Sequence, residues 1–212
     1  MTDLIKDILD LSKTNDVEKL EILIESRLEH EPYNCDLWLR LAVLELAPPI
    51  SDYYKSVDSI KKVLSNKNNA TAALLLAYVN YYCLGGVDDE LLNNIKIAVP
   101  DNVEFRSMLK YAESWFYDGK DSKMQEACLR ESIEIYNGHV WNNYYLAKLY
   151  FVDGKEVEGK VLINKALENV VTVYSDESYE YDITSVDEFI NEHIKGICLT
   201  QENYESIKNP NL

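Results

Sequence analysis

The chain has 212 residues, 47% of them hydrophobic, with only seven Gly and five Pro, so a continuous core and mostly helical structure are both affordable. Its 37 acidic and 21 basic residues leave a net charge of −16, a field that repels nucleic-acid phosphates and anionic membranes and argues against either as a partner. The longest apolar stretch, 70–84, contains Asn80 and falls short of the roughly 20 residues that cross a bilayer.

Residues 2–13 mix charged and apolar positions as an amphipathic helix does, not as a secretory leader does. Thr14-Asn15 opens a second helix through Leu20, Ile22, Leu23 and Leu28, which Pro32 ends. A helix from Cys35 to Ala47 is stopped by Pro48-Pro49, and Ser51 is expected to cap a return helix that turns Val57, Ile60, Val63 and Leu64 inward. The next pair is 70–84 with 88–99, divided by Gly85-Gly86 and closed by Pro100. After it come 102–118 with 122–136, where Ser122-x-x-Gln125 has capping-box form, and 139–153 with 156–171. Residues 172–185 read as an acidic linker. Ser185-x-x-Glu188 then opens a helix carrying Phe189, Ile190, Ile194 and Ile197, expected to cap the last exposed apolar face within a terminal unit 186–212. Residues 1–171 thus form five two-helix hairpins joined by short turns.

A small residue recurs along this array. Ala42, Ala77, Ala112 and Ala147 are each 35 positions apart, preceded by Leu41, Leu76, Tyr111 and Leu146. A fixed interval of this length marks stacked helical hairpins. In the fifth hairpin Leu146-Ala147, Tyr150, Gly154, Gly159, Ile163 and Ala166-Leu167, and in the fourth Tyr111-Ala112, Trp115, Gly119, Leu129 and Ser132-Ile133, the pattern resembles the tetratricopeptide repeat family. Trp38, Leu41-Ala42, Ile60 and Val63-Leu64 repeat it in the second hairpin, whereas Glu45 and Asn80 stand where that family usually has an aromatic. The resemblance implies an all-α protein, an α-solenoid of antiparallel hairpins wound as a right-handed superhelix, here with a C-terminal capping helix.

In such arrays one face of each first helix lines a concave groove. The resemblance places Tyr78, Tyr81 and Tyr82 there from the third hairpin, Arg106, Phe116 and Tyr117 from the fourth, and Trp141, Tyr144, Lys148 and Phe151 from the fifth. Together they describe an aromatic groove suited to a peptide or helix of a partner protein. The alternative is that individual rings only fill space between adjacent helices. Arg106 and Lys148 are the basic residues of this surface, so a clamp for a peptide carboxylate is not expected.

Sharper chemistry finds little support. The segment 154–160 matches most of a phosphate loop but has Val161 where Ser or Thr must follow the lysine, and it has Glu156 and Glu158. His30, His139 and His193 are scattered, without an HExxH motif. Cys35, Cys83, Cys128 and Cys198 include no CxxC pair, as suits free thiols in a reducing compartment. RNA-reading pentatricopeptide repeats share the period but require a basic face. The expectation is therefore a cytoplasmic, non-enzymatic interaction module without a cofactor. It would act as adaptor, chaperone or inhibitor, with a protein partner, and the acidic surface would either steer a basic partner or serve solubility. The competing expectation is an enzyme or small-ligand regulator. Its pocket would lie between the array and the C-terminal segment, marked by convergence of Tyr179, Tyr181, His193 or Arg106.

Overall fold

The structure, a computed structural model, describes residues 8, 11, 16–65, 68–100, 102–175 and 182–210. The helix expected over 2–13 lies almost wholly outside the described residues. Asp or Asn side chains open seven successive helices, each accepting a hydrogen bond from an amide two or three residues on. These are α1 (Val17–His30), α2 (Cys35–Leu46), α3 (Tyr53–Leu64), α4 (Ala70–Cys83), α5 (Asp89–Ile97), α6 (Val103–Tyr117) and α7 (Ser122–Ile135). Helices α8 (Val140–Val152) and α9 (Glu156–Glu168) complete the array. Part of the acidic excess is thereby structural, since Asp16, Asp52, Asp88 and Asp121 hold helix starts.

Two expected caps move by one residue. Ser51 has φ of +45° and Asp52 caps α3 in its place. Ser122 is the first helical residue of α7, capped by Asp121, while Gln125 Nε2 donates to Asp118 Oδ1 at 3.0 Å. In both cases an ionised carboxylate lies next to the serine and is the stronger acceptor. Ser185 does cap its helix, by accepting from the Glu188 amide at 3.3 Å.

Helices pack as the hairpins α2–α3, α4–α5, α6–α7 and α8–α9, with each pair against the next. All four periodic alanines are at most 1% exposed, so the 35-residue interval marks buried points where a small side chain packs inside the array. Ser56 Oγ donates to the Ala42 carbonyl oxygen at 2.8 Å, crossing from α3 to α2 at one of those points. Ser107 and Ser132 make the equivalent join in the fourth hairpin, each hydroxyl donating to the other's carbonyl oxygen at 2.8 and 2.9 Å. Among the described residues no helix is long and apolar enough to cross a membrane.

Beyond α9 the chain forms a short strand β1 (Thr172–Tyr174) inside the segment read as linker. Next comes α10 (Val186–Phe189), which continues as a π-helical turn over Ile190–Lys195 and stops at Gly196. A strand β2 (Cys198–Thr200) then pairs parallel to β1, with Thr172 beside Cys198 and Tyr174 beside Thr200, and α11 (Gln201–Lys208) follows. The capping role expected of one helix is divided between two elements. Leu199 and Ile207, from β2 and α11, close the last hairpin by packing with Val140 and Ala166. Phe189, Ile190 and Ile194 join the main core beside residues of α2, α4, α6 and α8. Ile197 lies past the helix end, because Gly196 turns the chain at φ of +71°.

Candidate functional site

The first helices α4, α6 and α8 bring their aromatic side chains into one cluster. Tyr81 stacks on Trp115 with ring centroids 5.3 Å apart, and Tyr82 meets the same indole edge-on at 5.7 Å. Tyr111 packs against Trp115 at 5.0 Å and Tyr145 at 6.2 Å, and Tyr145 passes the chain of contacts on to Tyr144 and Trp141. Rings in these tilted and offset arrangements are each worth about 0.5–1.5 kcal/mol beyond the surface they bury. Burial pushes the phenols of Tyr78, Tyr81 and Tyr145 above the ordinary tyrosine range and Tyr82 up to about 12. At neutral pH the hydroxyls are therefore intact donors, as where Tyr81 donates to Asp118 Oδ2.

The C-terminal segment sits on this cluster. Phe189 meets Tyr78 edge-on at 5.1 Å, and His193 lies 5.9 Å from Tyr78 and 4.5 Å from Phe189. Three ties hold the segment down. Trp141 Nε1 donates to the Glu192 carbonyl oxygen at 3.3 Å, Lys195 Nζ lies 2.7 Å from Glu104 Oε1, and Arg40 donates to Thr184 Oγ1 at 3.2 Å. Beneath the second tie, His139 is fully buried with Nε2 3.6 Å from Glu104. Its burial lowers its pKa to about 4, so the ring is neutral.

Of the residues the sequence places in the groove, Tyr78, Tyr81, Tyr82, Trp141 and Tyr144 belong to the cluster. Lys148 lies at its edge, with Nζ 5.8 and 5.9 Å from the rings of Tyr144 and Tyr145. Of the other four, Phe116 borders the cluster, lining a cleft with Tyr81 and Trp115, and Arg106, Tyr117 and Phe151 lie elsewhere. Arg106 lines a cleft between α5, α6 and α7 together with Leu109 and Glu113. Glu113 there pairs with Lys96 at 3.5 Å and Lys110 at 2.6 Å. Phe116 and Tyr117 pack on each other at the end of α6, where Lys120 Nζ sits 4.1 Å over the Phe116 ring. Phe151 lies against Gly159 of α9, where a β-carbon would come within 2.7 Å of its ring. Helix α6 brings Tyr111 and Trp115 into the cluster, while Leu109 and Glu113 of its other stripe are buried as well, at 6% and 8% exposure. Tyr111, Trp115, Tyr145 and Phe189 are the cluster members that groove reasoning omitted.

A cavity of about 610 Å³ lies between the C-terminal end of α2 and the C-terminal segment, with Tyr174, Phe189, Glu192 and His193 in its wall. This is where a pocket was expected if the chain bound a small ligand. Of the four residues that were to mark it, His193 is present, Arg106 is elsewhere, and Tyr179 and Tyr181 lie outside the described residues. The acidic side chains Asp176, Glu177 and Glu180 also lie outside them.

The remaining candidates for chemistry have structural partners. Segment 154–160 runs from the turn after α8 into the first residues of α9 and follows no strand, and Lys160, the lysine of the loop pattern, has Nζ 3.6 Å from Glu156. The cysteines are free thiols, and burial pushes Cys128 up to about 11, away from thiolate reactivity. Among the described residues no three His, Cys, Asp or Glu side chains converge as a metal site.

The sequence matches no protein-family model and no curated protein. Among solved structures the fold is similar to that of MamA, a tetratricopeptide-containing protein. One MamA crystal structure aligns with a TM-score of 0.57 and 19% identity over 74% of this chain and 90% of that chain. A second gives 0.57 and 18% over 80% and 93%, and a MamA double mutant gives 0.58 and 14% over 80% and 96%. The chain has the fold of a tetratricopeptide-like all-α solenoid.

Proposed function

We propose that the protein is a non-enzymatic interaction module that holds a segment of a partner protein against the aromatic side of its first helices. The observation that carries this reading is that the face already receives a helix. The Val186–Lys195 segment lies on it with Phe189 against Tyr78, so its shape and chemistry suit an amphipathic segment. Tyr82, 42% exposed, extends the same cluster to the surface beside half-buried Tyr81 and Tyr144. These rings, with Lys148 at the edge, are the proposed contacts. Arg106, Phe116, Tyr117 and Phe151 are assigned no partner role. The net charge of −16 favours a basic partner through encounter rate, in a cytoplasmic setting as adaptor, client chaperone or inhibitor.

The test is site-specific photo-crosslinking in cells with the reactive residue at position 82 or, as a control, at position 106. A discrete protein adduct from position 82 that is absent at position 106 is the expected result. Equal adducts from both positions, or none from position 82, would remove the aromatic face as the binding surface.

A further inference from the structure

The 610 Å³ cavity beside α2 is of the size that small ligands occupy, and its wall pairs apolar surface with one charge. Val43, Leu46, Ile183 and Phe189 supply the apolar part, and among the described residues Glu192 is the one carboxylate in the wall. That carboxylate is largely withdrawn from water, at 16% side-chain exposure. Among the described residues, the one cationic type within ion-pair distance of it is His193, at 3.9 Å. Burial lowers the pKa of His193 below its ordinary value, which favours the neutral ring and makes it a weak counter-ion for Glu192. Nearby cations are engaged elsewhere: Lys195 with Glu104 at 2.7 Å, and Arg40 with Asp36 at 3.1 Å.

A carboxylate removed from water gains most from a cation that arrives with good geometry. A bare metal ion would need several oxygen ligands, whereas the described residues of this wall offer one carboxylate among hydrocarbon and aromatic surface. A cation on an apolar stem satisfies both parts, and the Phe189 ring adds a cation–π face. We propose that this cavity binds an organic cation, an ammonium or guanidinium on an apolar stem, with Glu192 as its counter-ion. A free small amine and a lysine or arginine side chain of a polypeptide share that chemistry. The site does not depend on the aromatic face acting as a partner surface.

The experiment titrates the full chain with n-hexylammonium, with hexanoate, and with the blocked dipeptide acetyl-Leu-Arg-amide, followed by amide chemical shifts. At least one of the two cations is expected to bind at millimolar concentration, shifting the amides of Ala47, Phe189 and His193, while hexanoate does not. Glu192→Gln, checked for folding by circular dichroism, is expected to weaken that binding about tenfold, the scale of one hydrogen bond to a charged group. Tighter binding of the dipeptide supports a polypeptide side chain as the source, and tighter binding of hexylammonium supports a free amine. The proposal is overturned if neither cation binds, if hexanoate binds as tightly as the better-binding cation, or if the shifts fall away from the cavity. The contrast between the better-binding cation and hexanoate decides on the wild-type chain alone.

Discussion

Gly196 stands against the indole of Trp141: a β-carbon built on the glycine would lie 2.7 Å from Trp141 Nε1, and the glycine's own φ is +71°. Any other L-residue there meets an unfavourable backbone region and a ring that is tied to Glu192. Gly196→Ala is expected to destabilise the docked C-terminal segment by about 1–3 kcal/mol. Hydrogen exchange should then accelerate at amides 186–195 and stay unchanged in α2 and α3. Unchanged exchange at 186–195 would mean that this contact does not hold the segment.

Glu45 is 3% exposed between α1, α2 and α3, and its Oε2 has no hydrogen-bond partner. Burial raises its pKa from 4.5 to about 7. The folded state therefore binds the proton more tightly than the unfolded state does. The stability this contributes is fully present below pH 4.5 and is lost as pH rises through about 7. Glu45→Gln should remove that slope and exceed wild type at pH 8 by on the order of 3 kcal/mol. Urea melts of both chains at pH 5 and pH 8 check it, and parallel curves would contradict it.

His139 carries the opposite dependence. Burial lowers its pKa from 6.5 to about 4, so the unfolded state binds more protons between those values. Its contribution is fully present above pH 6.5 and is lost as pH falls through about 4. Neither ring nitrogen has a hydrogen-bond partner, so His139→Leu should fold. The variant should lose less stability than wild type between pH 6.5 and pH 4.5, measured by urea midpoints. An equal loss in both chains would assign the acid sensitivity to other groups.

Tyr111 is 1% exposed and its hydroxyl has no hydrogen-bond partner. Removing an unpaired buried hydroxyl relieves its desolvation while keeping the ring contacts with Trp115 and Tyr145. Tyr111→Phe is expected to leave stability unchanged or raise it by about 1 kcal/mol. A loss of that size in chemical denaturation would show that the hydroxyl has a partner in solution.

The array was legible because its signals are local. The alanine interval reports a small buried position that recurs hairpin by hairpin, and all four alanines are buried. The orientation of α6 was not legible. Both Leu109-Glu113-Phe116 and Tyr111-Trp115 satisfy helical spacing and both stripes are largely buried, and Trp115 joins the cluster through the tyrosines that α4 offers across the interface. Tyr145 is a related case, since it is one position from Tyr144 and its contacts with Tyr82 on α4 and Tyr111 on α6 do not show in the pattern of its own helix. The apolar stripe Phe189-Ile190-Ile194 announced a buried helix without saying which face of the array it would cover. The β1–β2 pair could not be read from short windows, because each strand has three residues and its partner is remote in sequence.

That two-stranded ribbon has a consequence for competition at the aromatic face. With Tyr174 beside Thr200, the stretch bearing Phe189 and His193 leaves and rejoins the array at nearly the same point. If it lifts away with the ribbon intact, it cannot drift off, and its return is first order and independent of protein concentration. Under the proposed function, an incoming segment that needs the same rings meets a tethered rival, and its apparent affinity falls by the fraction of time that rival is seated.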